Sequence, residues 1–201
     1  MKLIIFDFDG VLVDTLIMTY EITKEINPEM SLEDFRLLNN GNFLHSIENS
    51  LTIKNHPEFF ERYKEESREL KIPPSLKDLI YKLSKECTLA IVSSSLSSLI
   101  KDILDREDAM PYFMDILGSD LHKSKVFKNK MLLEKYKVDP KDAVFITDTV
   151  GDILEARECG IKSIAVTWGF QDAESLQKAK PAKIVSMPED LMQAITELTN
   201  A

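Results

Sequence analysis

The fold class is decided by a stretch near the start of the chain, Lys2-Leu3-Ile4-Ile5-Phe6-Asp7-Phe8-Asp9-Gly10. Residues 2–8 form a run that is mostly apolar and rich in Ile and Phe, and Asp9-Gly10 closes it. A short apolar run that ends in a turn predicts a strand covered on both faces, as the strands of a parallel sheet are. The stretch therefore indicates the first strand of an α/β protein.

Similar apolar runs recur further along the chain, at residues 89–92, 115–118, 143–147 and 163–166, with a weaker one at 183–185. Amphipathic stretches typical of helices lie between them, at 76–84, 96–104, 127–136 and 153–158. Strands that alternate with helices are joined by right-handed crossovers into a parallel sheet. We therefore predict a three-layer α/β/α, Rossmann-like core with a parallel sheet.

Residues 15–72 have a different pattern, with charged residues at helical spacing and no β-branched run. The pattern predicts a small all-α cap inserted after the first strand. We interpret the charged segment 61–69 as a solvated helix face, and Pro73-Pro74-Ser75 as the return to the core. The predicted domains are a core of residues 1–14 and 73–201 and a cap of residues 15–72.

Composition restricts the possible functions. The 201 residues are 44% hydrophobic and 29% charged, as in an ordinary globular protein. The 25 basic and 34 acidic side chains give a net charge of −9 without a cationic run, which argues against a nucleic-acid partner. Asp7 and Asp9 interrupt the first apolar run too early for a signal peptide or membrane span, so we expect a cytoplasmic protein. Cys87 and Cys159 lack metal-ligand spacing and are predicted to be reduced structural thiols.

Asp7 and Asp9 are the first candidate functional residues. Side chains two apart on a strand share a face, so both carboxylates should lie beyond the carboxyl end of the strand, where α/β sheets bind ligands. Two carboxylates held so close together repel each other unless a cation or a shared proton relieves them. The pair therefore suggests a metal site, although Asp and Gly also simply begin turns.

Asp148 and Asp152 form a second acidic pair, at the end of the run 143–147 and four residues beyond it. If a helix follows Asp148, Asp152 lies one turn along and can face the same pocket. Oxygen ligands without a nearby His or Cys indicate Mg²⁺ rather than zinc. Alternatively, the two residues are the N-cap and a first-turn acid of that helix.

Two weaker elements complete the set. Ser93-Ser94-Ser95 follows a strand and precedes a helix, where hydroxyls and free amides can bind phosphate, although serines are also common caps. Lys123 and Lys125 lie between the strand at 115–118 and the next helix, and either could simply be a surface residue.

In this order and on these strand ends, the four elements resemble the four motifs of the haloacid dehalogenase superfamily. The run Asp-Gly-Val-Leu-Val-Asp-Thr at 9–15, the insertion after it and Val-Thr-Trp-Gly-Phe at 166–170 resemble its phosphoglycolate-phosphatase-like branch with a small helical cap. The resemblance covers the core, whereas the insertion is similar in length and helical character only.

The resemblance implies a Mg²⁺-dependent phosphatase that hydrolyses a small phosphorylated metabolite through an aspartyl phosphate. Asp7 would be the nucleophile and a metal ligand, and Asp9 would be the general acid/base with its main-chain carbonyl on Mg²⁺. Asp148 would bind the metal, and Asp152 would be a further ligand or would anchor the metal site. The enzyme would be a monomer or a homodimer, without nucleic-acid or membrane partners.

The resemblance also implies the phosphate-binding groups. Ser93 and the amide of Ser94 would hold phosphoryl oxygens, and a lysine would offset the developing charge. Counting back from the segment 138–140 without a gap gives Lys123 as that lysine, and a shift of two residues gives Lys125. The superfamily usually has Gly before the first aspartate of its last motif, but this chain has Thr147.

Within the cap, we expect Asn40 and Asn42, in a neutral loop at 39–43, to contact the substrate and set its selectivity. Asp9 argues against dehalogenation, because a C–Cl bond needs no proton on its leaving group. A phosphomutase and a non-catalytic binding module of the same superfamily are the alternative functions, and Thr147 is the only support for the second.

Overall fold

A sheet of six parallel strands forms the centre of the computed structural model, which describes residues 2–38 and 57–199. The strands are β1 (Lys2–Phe6), β2 (Cys87–Val92), β3 (Asp115–Leu117), β4 (Ala143–Thr147), β5 (Lys162–Val166) and β6 (Lys183–Val185). Their order across the sheet is β3-β2-β1-β4-β5-β6. Since β1 pairs with β2 on one side and with β4 on the other, the two strands that end in aspartates are neighbours.

The helices within these ranges are α1 (Leu16–Ile26), α2 (Leu32–Leu38), α3 (Pro57–Glu66), α4 (Pro74–Leu83), α5 (Ser97–Arg106), α6 (Lys125–Tyr136), α7 (Val150–Glu158), α8 (Ala173–Lys178) and α9 (Leu191–Thr199). Local chemistry fixes several of their starts. Pro74 occupies the first turn of α4, where its missing N–H costs nothing. The side chains of Ser124, Thr149 and Asp172 cap α6, α7 and α8 by accepting main-chain hydrogen bonds.

Alternate residues of β1 point into two apolar layers. Ile4 and Phe6 pack in one layer, which includes residues of α4, α5 and α9. Leu3 and Ile5 pack in the other, which includes residues of α6 and α7. Both faces of the sheet are therefore covered by helices, and the predicted three-layer α/β/α fold with a parallel sheet is confirmed. The first strand is shorter than predicted, because it ends at Phe6.

The described parts of the insertion are helical, and two apolar clusters join them to the core. Leu99 of α5 packs with a cluster formed by α1 and α3, and Phe170 packs with Leu16, Tyr20 and Phe35. The assignment of residues 15–72 to a separate cap domain stays a prediction.

The interpretation of residues 61–69 as a solvated helix face is wrong at two positions. Tyr63 and Ser67 are buried, with 3% and 5% of their surfaces exposed. Together with the buried Phe59 they follow i, i+4 spacing, which places them on one inward face of the segment.

Within the described ranges, no helix is both long and apolar enough to cross a membrane. Cys87 and Cys159 are free cysteines, with Cys159 buried and Cys87 partly buried.

Candidate active site

Asp7 lies directly beyond β1 and is still held by the sheet, because its amide donates to the Ile146 carbonyl of β4 at 2.9 Å. The side chain is buried, and both its oxygens have partners. Oδ1 accepts the Phe8 amide at 2.7 Å, and Oδ2 lies 2.9 Å from Nζ of Lys125. The carboxylate therefore has a fixed position at the carboxyl end of the sheet.

Lys125 is the cation of this group. It is the first residue of α6, and its Nζ also donates to Oδ2 of Asp152 at 2.7 Å. Burial opposes its charge, but Asp152 and Asp7 together raise the pKa of Lys125 above its ordinary value. Burial, with the charges of Asp152 and Asp148, raises the pKa of Asp7, against the opposing effect of Lys125. Lys125 therefore compensates the charge of the buried carboxylates.

The placement of the motif lysine at Lys123 is corrected by this geometry. Lys123 has an exposed side chain in the loop before α6, whereas Lys125 contacts Asp7. Ser124 is the N-cap of α6, so Lys125 begins the helix and its side chain reaches the buried carboxylates. Lys125, the alternative with a shift of two residues, is therefore the lysine that contacts Asp7, and its role in phosphoryl transfer stays a prediction.

Thr147 contacts Asp152 at the end of β4. Its hydroxyl donates to Asp152 Oδ2 at 2.7 Å and accepts the Thr149 amide at 3.2 Å. Burial alone would raise the pKa of Asp152. The charge of Lys125 and hydrogen bonds, including the one from Thr147, together outweigh this effect and lower the pKa. Of the two roles predicted for Asp152, this arrangement favours that of an anchor, because Oδ2 is already bound by two donors.

Asp148 is the first residue after β4 and is fully buried. Its Oδ2 accepts the Phe170 amide at 2.7 Å, while its buried Oδ1 has no hydrogen-bond partner among the described residues. Burial raises the pKa of Asp148 to about 7. A methyl group on Gly10 or Gly169 would lie 2.1 or 2.2 Å from Oδ2, so only glycine allows the backbone to approach this carboxylate so closely.

These residues fit a magnesium ion. The carboxylates of Asp7 and Asp148 are hard oxygen donors at the ends of the neighbouring strands β1 and β4, and Oδ1 of Asp148 needs a partner. The family resemblance implies the main-chain carbonyl of Asp9 as a further donor. No group of three His, Cys, Asp or Glu side chains in the described part of the chain is arranged to hold a metal. That finding is compatible with Mg²⁺, which is commonly bound by one or two carboxylates and keeps several waters.

Asp9 lies on the other side of the site and is held by hydroxyls. The phenol of Tyr63 in α3 donates to Oδ1 at 2.5 Å, and Ser95 donates to Oδ2 at 2.6 Å. Ser93 is a more distant donor to Oδ2, at 3.4 Å. Burial and the charge of Asp9 raise the pKa of Tyr63, so the phenol keeps its proton. The orientation of Asp9 thus depends on both the core and the insertion.

Sequence reasoning did not identify Tyr63 or Ser95 as site residues. Tyr63 had a usable signal, the i, i+4 spacing from Phe59 to Ser67 within a charged segment. Ser95 was quoted only as a neighbour of Ser93 and Ser94, and its contact with Asp9 depends on the path of the loop after β2.

Ser93 and Ser94 follow β2 on the same edge of the sheet as Asp7. Ser93 is buried, with its amide donating to the Leu117 carbonyl at 3.0 Å and its hydroxyl accepting the Ser95 amide at 3.0 Å. The predicted substrate contacts Asn40 and Asn42 lie outside the described residues, so their role stays a prediction.

Comparison with known proteins identifies the family. Residues 4–166 match the family model described as haloacid dehalogenase-like hydrolase. The chain belongs to that family. A phosphoglycolate phosphatase from Synechococcus elongatus is 28% identical to it, over 98% of this chain and 99% of the relative. One from Aquifex aeolicus is also 28% identical, over 96% of both chains.

A solved structure shows the same fold across this haloacid dehalogenase-like chain. The haloacid dehalogenase-like hydrolase from Streptococcus pneumoniae superimposes with a TM-score of 0.79 at 26% identity, over 96% of this chain and 98% of its own. The family and the enzyme class predicted from the motifs, a phosphatase of the haloacid dehalogenase-like hydrolases, are confirmed.

Proposed function

We propose that the protein is a Mg²⁺-dependent phosphatase that hydrolyses a small phosphorylated metabolite through an aspartyl phosphate on Asp7. The observation that carries the proposal is the ion pair between the buried Asp7 carboxylate and Lys125, close to a second carboxylate, Asp9, with its own hydroxyl donors. One carboxylate is thus equipped for nucleophilic attack and the other for proton transfer.

In the first step, a carboxylate oxygen of Asp7 attacks phosphorus and the bond from phosphorus to the leaving oxygen breaks. The leaving oxygen takes a proton from Asp9, so the products are an aspartyl phosphate, an alcohol and the Asp9 carboxylate. Lys125 offsets negative charge as the phosphoryl group transfers, while Ser93 and the Ser94 amide bind its oxygens.

In the second step, a water molecule attacks the phosphorus of the aspartyl phosphate and gives a proton to the Asp9 carboxylate. The bond between Asp7 oxygen and phosphorus breaks, which regenerates the Asp7 carboxylate and releases inorganic phosphate. Tyr63 and Ser95 suit Asp9 to both steps, because their hydroxyls donate to the carboxylate that forms as Asp9 gives up its proton in the first step and that acts as the base in the second.

Mg²⁺, when bound, would neutralise phosphoryl oxygen charge as a Lewis acid. Asp7, Asp148 and the main-chain carbonyl of Asp9 would hold it. Asp152 would keep Lys125 in place by accepting a hydrogen bond from its Nζ. The relatives named phosphoglycolate phosphatase support a small phosphorylated substrate.

The experiment is an assay of the purified protein with p-nitrophenyl phosphate, with and without Mg²⁺, followed by a panel of phosphorylated metabolites. Acid quenching during turnover of a ³²P-labelled substrate should trap label on the protein, and Asp7→Asn should trap none. Release of inorganic phosphate supports a phosphatase. Transfer to another hydroxyl of the substrate instead would indicate the alternative phosphomutase, and no turnover would indicate a non-catalytic module.

A further inference from the structure

Lys128 is a second buried lysine to which the mechanism above gives no role. It lies one turn beyond Lys125 on α6, and none of its surface is exposed. Burial of a charged amine is costly unless the amine is paired or hydrogen-bonded. The groups that Lys128 contacts should therefore show why a charged amine is buried at this position.

The ammonium group joins two loops at the edge of the active site. Nζ donates to the Ser93 carbonyl at 2.6 Å and to the Gly118 carbonyl at 3.3 Å. The Ser93 carbonyl follows β2 and the Gly118 carbonyl follows β3. The Ser93 amide also donates to the carbonyl of Leu117, the last residue of β3. Lys128 thus holds the start of the loop Ser93-Ser94-Ser95, here called the serine loop, close to the end of β3.

The hydrogen bond to Ser93 also fixes the direction of the next amide. The peptide between Ser93 and Ser94 is trans, so its N–H points opposite to its C=O. Because the carbonyl points at Lys128, the Ser94 N–H points away from α6. That amide is one of the two groups proposed to bind phosphoryl oxygens.

Charge gives a second reason. Four carboxylates converge here, those of Asp7, Asp9, Asp148 and Asp152, and a phosphate ester adds more negative charge. Burial, and the nearby charge of Lys125, lower the pKa of Lys128 to about 8, against the carboxylates of Asp7, Asp152 and Glu155. The hydrogen bonds to two carbonyl oxygens favour the protonated amine, which offsets part of this negative charge.

We propose that Lys128 is a positioning residue for phosphate, which holds the Ser93 carbonyl so that the Ser94 amide faces the phosphoryl group. Its second effect is to place a buried positive charge behind that loop. The proposal rests on the proposed function, since it assumes that the serine loop binds phosphate.

The test compares binding of inorganic phosphate, in the presence of Mg²⁺, to wild type, Lys128→Met and Lys130→Met. Lys130→Met is the matched control, because it removes the same charge from an exposed position on the same helix. Because a hydrogen bond from a charged group is lost, Lys128→Met should bind phosphate roughly ten- to a hundredfold more weakly than wild type. In phosphatase assays of this variant, KM should rise by a larger factor than kcat falls. Lys130→Met should bind like wild type. Equal binding by all three proteins would overturn the proposal.

A measurement on wild type keeps the test decisive if Lys128→Met does not fold. In ¹⁵N-labelled wild type, the Ser94 amide resonance should shift when phosphate is added with Mg²⁺. An unchanged Ser94 resonance, with phosphate bound, would overturn the proposal. Failure of the proposed function has a different signature, which is an absence of turnover by wild type across the phosphate-ester panel.

Discussion

The two sides of the active site are built from different parts of the chain. The nucleophile side consists of Asp7, Lys125, Asp152 and Thr147, which lie at strand ends and helix starts of the core and contact one another at 2.7–2.9 Å. The acid/base side consists of Asp9, Ser95 and Tyr63, and Tyr63 comes from the helical insertion. The core alone therefore fixes Asp7, the proposed nucleophile, whereas orientation of Asp9, the proposed proton-transfer group, requires both regions.

The difference separates two kinds of defect. A change on the nucleophile side should affect every substrate alike, because phosphorus is attacked in all of them. A change in the insertion should matter most when the leaving group needs a proton. The predictions below test this separation.

Asp7→Asn should have the largest effect. The variant lacks the proposed nucleophile but keeps an oxygen in a similar position. Turnover should therefore lose most of the enzymatic rate acceleration, which is about 10⁶-fold or more in typical enzymes. The melting temperature should change little, because Lys125 keeps Asp152 as its partner. Activity within about tenfold of wild type would show that Asp7 is not the nucleophile.

Asp9→Asn should be next in size. One residue serves as acid in the first step and base in the second, so the loss should exceed the roughly 10²- to 10⁴-fold of a single proton transfer. Rapid-quench measurements should show both phosphorylation and hydrolysis slowed. A burst of product with an unchanged steady-state rate would contradict this role.

Lys125→Met should reduce kcat by roughly 10²- to 10³-fold, as removal of a group that stabilises transition-state charge does. The loss should be equal for aryl and alkyl phosphates, because the nucleophile side acts on phosphorus. Lys123→Met provides the comparison, since its side chain is exposed in the preceding loop. If the two variants lost activity equally, the assignment of Lys125 would be wrong.

Tyr63→Phe should have an effect that depends on the leaving group. A hydrogen bond to a charged group is worth about 1.5–3 kcal/mol, so kcat/KM for alkyl phosphates, which reports the step in which the leaving group departs, should fall by roughly ten- to a hundredfold. p-Nitrophenyl phosphate, whose leaving group needs little protonation, should change less. Tyr20→Phe is the control, because the Tyr20 phenol donates to the Met30 carbonyl within the insertion. Identical losses for both substrate types would abolish the proposed distinction between the two sides.

Thr147→Val should have the smallest effect. It removes the hydroxyl bonded to Asp152 and keeps the volume, and Lys125 still holds that carboxylate. The lost hydrogen bond to this carboxylate is worth about 1.5–3 kcal/mol of stability. Because Asp152 acts on the reaction only through Lys125, activity should fall by less than the roughly tenfold or more that this energy corresponds to. Thr147→Ser, which retains the hydroxyl, should stay near wild type. A gain in activity on Thr147→Gly would instead mean that the side chain crowds the site.

The sequence was most informative where a pattern is local. The apolar runs located every strand to within two residues, because burial on both faces leaves a continuous apolar signal. Asp7, Asp9 and Asp148 could be proposed as site residues because each lies near the end of such a run or directly after it. The i, i+4 spacing of Tyr63 indicates only that it is buried, since its contact with Asp9 depends on how α3 packs against the core.

Other misses have the same origin. The choice between Lys123 and Lys125 depends on where α6 begins, and only the capping contact of Ser124 decides it. The side chain of Thr147 could have pointed into the site or away from it, and its contact with Asp152 fixes the direction. Sequence spacing predicts which residues lie near the site. The rotamer of each side chain and the residue at which each helix begins determine which atoms come into contact.

The position of β1 in the sheet has a consequence for synthesis. Among the described strands it is the first to be synthesised, yet it lies between β2 and β4, and its second edge is paired only after Ala143, the partner of Leu3, has been made. Until then an apolar strand with free backbone groups is available for pairing with other chains. The Asp7 amide likewise gains its acceptor in the sheet only when Ile146 is made. A nascent chain that stops short of β4 therefore lacks both the second pairing of β1 and the hydrogen bond that holds the Asp7 backbone.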